Sequence, residues 1–244
     1  MMRYFFTLVI AVFIAVPALM GQSGNSNEEM SIEESYLQEE MEMMMIREAS
    51  RSNNREQKLV ALEHIGNALE RGNTSDELRK NLEYLSLEST QNKANENRLL
   101  LNNYPDVRRQ AAKYLGDIGT EEAKNVLLKI CTVDPEPMVL WETIKSLGSI
   151  NSDNNDSTVN IIVRTVNKFH NSKAPDSLLA LATVETLDKI AEKDRGLNAN
   201  GQLLLIKIAE GPYAQPVKER AKKALADMQK YVAEGKEEQG KTAQ

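Results

Sequence analysis

A single cysteine, Cys131, serves a chain of 244 residues, so no intrachain disulfide can form and packing alone must hold the fold. Cys131 follows Val126, Leu127 and Ile130 at helical spacing, the position of a small buried hydrophobe. Only 2 histidines occur, His64 and His170, each without a carboxylate or thiol at ligand spacing, which argues against a metal centre. A Gly-rich phosphate loop, a nucleophile elbow and a paired-cysteine motif are all missing. Carboxylate pairs such as Glu121-Glu122 fall at a helix start, where the dipole favours them without any catalytic role. With 7 prolines, 12 glycines and 5% aromatics, breakers and strand formers are both scarce, and no stretch alternates with period two for long. Positive charge is not in excess either: the net is −6, and residues 46–244 balance 29 acids against 29 bases. A nucleic-acid binder needs a basic stripe, so that class of partner is excluded.

The acidic surplus lies near the front, where seven glutamates from Glu28 to Glu42 precede Arg47. Ahead of them, Met1-Met2-Arg3-Tyr4 is a short basic start, and Phe5 to Val16 is apolar apart from Thr7. Val16-Pro17-Ala18 then offers small side chains for a cleavage site near Ala18, with Gly21 as an alternative. This is the layout of a secretory signal peptide over residues 1–21, and it predicts a periplasmic or secreted protein. Left uncleaved, the segment would be a membrane tether, although it is shorter than the roughly 20 residues of a spanning helix. No cysteine stands nearby to carry a lipid.

The body repeats itself. Val107, Ala111, Leu115 and Ile118 mark one stripe of a helix, and the pattern returns as Val139, Thr143, Leu147, Ile150. It recurs as Leu179, Thr183, Leu187, Ile190 and as Val217, Ala221, Leu225, Met228, with a weaker first copy at Gln57, Ala61, Ile65, Ala68. Each striped helix is preceded by a second amphipathic segment: 31–50, 75–88, 120–132, 156–170 and 197–210. Capping boxes at Ser31-x-x-Glu34 and Thr74-x-x-Glu77, and Asp134-Pro135 as cap and first helical residue, support these cuts. Gly72, Gly119, Gly196 and Gly211 stand where left-handed caps are wanted. Periods of this length signal a solenoid, whose short helices gain stability only by stacking. The polar stretch 89–103 interrupts the period and reads as a long loop with a short helical start. The tail 232–244 lacks a stripe and is expected to be disordered.

Asp134-Pro135-Glu136-Pro137-Met138-Val139, with Thr143 and Leu147-Gly148-x-Ile150, resembles the second helix of a HEAT repeat of the PBS-lyase HEAT-like variant. Pro105-Asp106-Val107-Arg108 followed by Ala111 and Leu115-Gly116-x-Ile118-Gly119 resembles it as well. The resemblance covers about 52–231 and implies an all-α, right-handed ARM-type α-solenoid of about five helix pairs, and a bacterial origin. In that family a turn acid and the base after the valine form a ladder between repeats. Here the base is Arg108 and Lys218 but Leu140 and Ala180 in between, so the ladder is broken. Some relatives are bilin lyases, which keeps an enzyme or small-ligand carrier as the alternative to a binding scaffold.

In HEAT arrays the second helices line the concave face. At about 100° per residue, the side away from the stripe carries two columns. One holds Leu59, Arg109, Trp141, Leu181 and Glu219, the other Glu63, Lys113, Lys145, Glu185 and Lys223. Arg109, Lys113, Trp141, Lys145, Leu181 and Glu185 are therefore the candidate protein-binding residues, with Trp141 either an exposed anchor or a wedge between helices. No catalytic residue, metal or cofactor is expected, and the function read from these features is an exported scaffold or assembly factor. The acidic arm, 22–51, presents an apolar face of Leu37, Met41, Met44 and Met45. It either caps the first repeat or docks another protein, and could mediate self-association by meeting the Lys113/Lys145 column of a second molecule.

Overall fold

Ten helices pack as five consecutive pairs in the computed structural model, which describes residues 32–90, 95–96, 99–100, 102–150, 155–170 and 175–242. The pairs are α1 (Ile32–Arg51) with α2 (Arg55–Glu70), α3 (Asp76–Ser86) with α4 (Pro105–Ile118), and α5 (Glu121–Val133) with α6 (Pro137–Leu147). The last two are α7 (Asp156–His170) with α8 (Ser177–Lys193), and α9 (Ala199–Glu210) with α10 (Gln215–Thr242). First helices touch first helices along the stack and second helices touch second helices, giving a two-layer α-solenoid.

The stripes are the reason. Val107, Ala111, Leu115, Val139, Thr143, Leu179, Thr183, Leu187 and Ala221 are each at most 1% exposed, in one continuous apolar core. The two threonines lose no hydrogen bond there, because Thr143 Oγ1 donates to the Val139 carbonyl at 2.8 Å and Thr183 Oγ1 to that of Leu179 at 2.7 Å. Gln57, assigned to the weak first stripe, is exposed in the first turn of α2; its neighbour Lys58 is buried instead.

Second helices approach one another through a recurring small residue. A Cβ added at Gly116 would lie 2.6 Å from that of Ser146, and one at Gly148 only 2.9 Å from Thr186 Oγ1; Gly66 meets the Tyr114 ring in the same way. First helices are joined more loosely, by apolar contact such as Gly201 on Val159 and by polar pairs such as Asn200 to Asn160 and Lys207 to Asn167. The second helices are thus the more closely packed layer, the one that the HEAT resemblance puts on the concave side, and their open side is called the inner face below.

Several local expectations change. Ser75, not Thr74, caps α3, accepting from the Leu78 amide. Asp134 accepts from the Glu136 amide, but α6 begins at Pro137, two residues later than the first proline suggested. Gly72, Gly119 and Gly196 have positive φ, whereas Gly211 is at −73° and needs no glycine freedom. Ser31 lies outside the described residues. Within 89–103 the expected helical start is replaced by a short antiparallel hairpin, Asn95–Glu96 (β1) against Leu99–Leu100 (β2). Both roots of that insertion are tied to buried cations, which leaves the intervening chain to pair with itself: Arg108 donates to Ser89 and Asn103, and Lys58 to Glu88, which accepts from Asn102.

The arm and the tail also differ. α1 packs on α2 and α3 as the first helix of the first pair, through buried Ile46 and Ser50 and half-buried Met43. Leu37, Met41, Met44 and Met45 point away and are 49–61% exposed. At the other end α10 continues to Thr242, through most of the segment expected to lack structure. Gly235 is buried against the Arg195 side chain, and Arg195 pairs with Glu234 at 3.4 Å, so the turn before α9 supports this extension.

Candidate functional site

Two kinds of polar arrangement occur, one inside the stack and one on its inner face. The inner rungs come first because they fix the second helices. Arg108, fully buried, donates from Nε to Asp134 Oδ2 at 2.6 Å and from Nη2 to Oδ1 at 3.3 Å. This ties α4 to the turn of the next pair. One pair earlier Lys58, also fully buried, donates to Glu88 Oε2 at 2.9 Å and to the Ser50 carbonyl at 2.8 Å. Glu88 stands just after α3 as Asp134 stands just after α5, so the two rungs are equivalent. The Lys58 rung escaped the sequence reading because the insertion separates Glu88 from its helix. Aligning Lys58 with Arg108, each one residue after the start of its stripe, was the available signal. Beyond these rungs Leu140 and Ala180 are buried and apolar, as their sequence implied.

On the inner face the candidate residues fall on adjacent second helices. Trp141 and Leu181 are half-buried, each packed against the core with part of its surface open. The Lys145 ammonium lies 5.3 Å from the centre of the Trp141 ring, within cation–π range, and is held by Glu142 at 3.3 Å. Arg109 is half-buried, Lys113 is exposed above the Tyr114 ring at 5.7 Å, and Glu185 is exposed. Trp141 is thus neither wholly exposed nor wholly enclosed: part of it packs on the core, and the Lys145 ammonium lies over its ring.

Two contributors were missed. Met138 and Leu178, each immediately before the first stripe residue of its helix, are 37% and 63% exposed. Helical geometry sets them one turn before Trp141 and Leu181 on the same side. The middle of the inner face therefore carries Met138, Trp141, Leu178 and Leu181, flanked by Arg109, Lys113 and Lys145. The signal was there in the residue type: an exposed position at a helix start rarely needs methionine or leucine.

Chemistry beyond binding finds little to work with. No group of three or more metal-binding side chains converges among the described residues. His64 lies 3.8 Å from Glu42 at the start of the stack, and His170 shares a 2.9 Å hydrogen bond with the Tyr213 hydroxyl near its far end. Burial, reinforced by the Asp134 carboxylate, pushes the Cys131 thiol up to about 12, so it stays protonated and inert. No described helix is long and apolar enough to cross a membrane.

Comparison with known proteins agrees with this geometry. Residues 95–168, from the hairpin into the last turn of α7, match the family model for HEAT repeats. Neither the curated proteins nor the solved structures returned a match. HEAT repeats commonly serve protein interaction; here they are matched over 95–168, and the five stacked helix pairs make the chain an all-α solenoid.

Proposed function

We propose that the protein is an exported, non-enzymatic scaffold or assembly factor that holds a protein partner along the inner face of its solenoid. One observation carries this reading: an apolar centre with partly open aromatic and aliphatic side chains, with Arg109 and Lys113 on the neighbouring helix and Lys145 over the Trp141 ring. Aromatic residues with a basic rim are the usual composition of an interface centre. The partner suited to it is a segment bearing one bulky apolar anchor beside acidic residues. The Lys145 ammonium over Trp141 would shift from the ring to such a carboxylate without leaving the groove. Export rests on the sequence of residues 1–21, which lie outside the described residues.

A photo-crosslinking side chain at Lys145 tests the face, with one at Glu122 on the outer layer as control. Adducts formed in cells from position 145 alone, and lost on Trp141→Ala with an unchanged melting curve, support the reading. Equal adducts from both positions refute it. Fractionation with N-terminal sequencing of the mature chain tests export: a cytoplasmic protein retaining Met1 removes that part of the proposal.

A further inference from the structure

α1 carries its longer apolar side chains on the outside. Leu37, Met41 and Met44 form one stripe along the helix, 58–61% exposed, with Met45 beside it. The stripe is a ridge between two grooves. One, of about 730 Å³, is lined by Leu37, Met41 and Met45 with His64 of α2 and Arg71 just after it. The other, of about 520 Å³, is lined by Tyr36, Met43 and Met44 with Asn73 and Ser75 before α3.

Carboxylates bracket that ridge. Helical spacing sets Glu33 one turn before Leu37, Glu48 one turn after Met44, and Glu40 along one edge beside Met44, and all three are exposed. α1 holds six glutamates and two arginines, and both arginines are engaged within the molecule: Arg47 with Glu77, and Arg51 with the Arg47 carbonyl. Arg71 neutralises Glu42 at 2.5 Å. Among the described residues no cation pairs with Glu33, Glu40 or Glu48.

Such a face is unlike those by which first helices meet inside the stack. There the contacts are short: Val159 on Gly201, Asn160 with Asn200, and Thr165 Oγ1 on the Cys131 carbonyl at 2.9 Å. Unbranched, flexible methionines between carboxylates suit a single separate helix instead, because they adjust to its side chains without a fixed register. We propose that α1 is a docking surface for a basic amphipathic helix of another protein. The apolar face of that helix lies on the Leu37/Met41/Met44 ridge, and its lysines and arginines reach Glu33, Glu40 and Glu48. From Glu33 to Glu48 is about 22 Å at 1.5 Å per residue, so roughly four turns of the partner span it. The inner groove, on the second helices, is left open by this contact.

Two labelled helical peptides of about fifteen residues test this. The first has leucines along one face and lysines elsewhere; the second has glutamate for every lysine. Fluorescence anisotropy with the full chain should show saturable binding of the lysine peptide, at least about tenfold tighter than the glutamate peptide and weaker in high salt. Met41→Lys should weaken it about tenfold or more. Glu33→Lys, Glu40→Lys and Glu48→Lys combined should reverse the order of the two peptides. Circular dichroism checks that each variant is folded; should one fail, Met44→Gln and the pair Glu33→Gln with Glu48→Gln replace them, each weakening the lysine peptide. A photo-crosslinking side chain at Met44 should capture that peptide, and one at Met138 on the inner face should not. Equal binding of the two peptides overturns the proposal. So does lysine-peptide binding that Met41→Lys leaves unchanged, which would be charge attraction without a seat on the ridge. Capture from Met138 alone overturns it as well, and so do adducts from Met44 to this chain's own residues before 32 or to a second copy in place of the peptide.

Discussion

Replacing Asp134 by alanine should cost about 3–5 kcal/mol, the usual effect of stripping one partner from a buried ion pair. The structure sets this figure apart from that of an ordinary surface pair. Both side chains of the Arg108–Asp134 rung are 0% exposed, and two nitrogens of the guanidinium face the two carboxylate oxygens. After the substitution Arg108 would keep only Ser89 Oγ at 3.1 Å and Asn103 Oδ1 at 3.0 Å, both on Nη1, leaving Nε and Nη2 dry and unpaired. The Glu136 amide would also lose its acceptor at 2.9 Å, just before α6. Asp134→Asn, which still offers one oxygen, should cost less than alanine. Arg108→Leu combined with Asp134→Ala should recover much of the loss, because Leu140 shows that this place in the stack accepts leucine at 0% exposure. The assay is urea unfolding read by far-ultraviolet circular dichroism and by fluorescence of Trp141, which sits on the helix that the rung anchors. Both midpoints should move together if the stack unfolds as a unit. A loss under about 1 kcal/mol, the range of exposed pairs, would refute the argument that this rung is a dry structural tie.

Three further outcomes follow from the packing. Gly116→Ala should destabilise by about 1–3 kcal/mol, since its Cβ would fall 2.6 Å from that of Ser146 and 3.1 Å from the backbone, and Ser146→Gly should restore part of it in a thermal melt. Leu147→Ala, at a core position 4% exposed, should cost about 2–5 kcal/mol; a melt that overlays wild type would refute its place in the interior. The Cys131 thiol should react with a thiol reagent only as fast as the protein opens. Its folded value, about 12, lies above the ordinary 9.0, so the stabilisation is complete below pH 9 and falls as pH rises towards 12. Burst labelling of the native protein at neutral pH would contradict this.

The period itself was legible because it is written redundantly: four positions per stripe, each repeated in several copies, must all be small or apolar for the layers to merge. Single residues outside that pattern were less secure. Gln57 was placed inside because it fills the first stripe position, yet a cation one residue later took the interior once Glu88 and the Ser50 carbonyl were available to satisfy it. A polarity scale counts lysine as a surface residue, whereas burial here depends on a carboxylate 30 positions away. The insertion at 89–103 failed for a related reason. Its consecutive leucines fit a helix start or a strand equally well, and the choice was made by roots anchored at Glu88 and Arg108, so that the intervening chain turns back on itself.

α1 gives the sharper lesson about the interaction surfaces. Counting apolar side chains alone turns Leu37, Met41, Met44 and Met45 inwards, but the face that packs holds one β-branched residue, Ile46, with Ser50 and the stem of Met43. Small and stiff side chains let α1 lie close to two neighbours at once. The glutamates beside them are accommodated because Arg71, Asn73 and Arg47 reach across to Glu42, Glu39 and Glu77 or from them. Four long flexible side chains would have held the helix farther off. α1 does pack over α2 and α3, but with its smaller apolar face, and its larger one is exposed among the described residues. The same reasoning applies to Met138 and Leu178 on the inner face, so the groove and the end of the solenoid are both read by asking which apolar residues the fold had no need to expose.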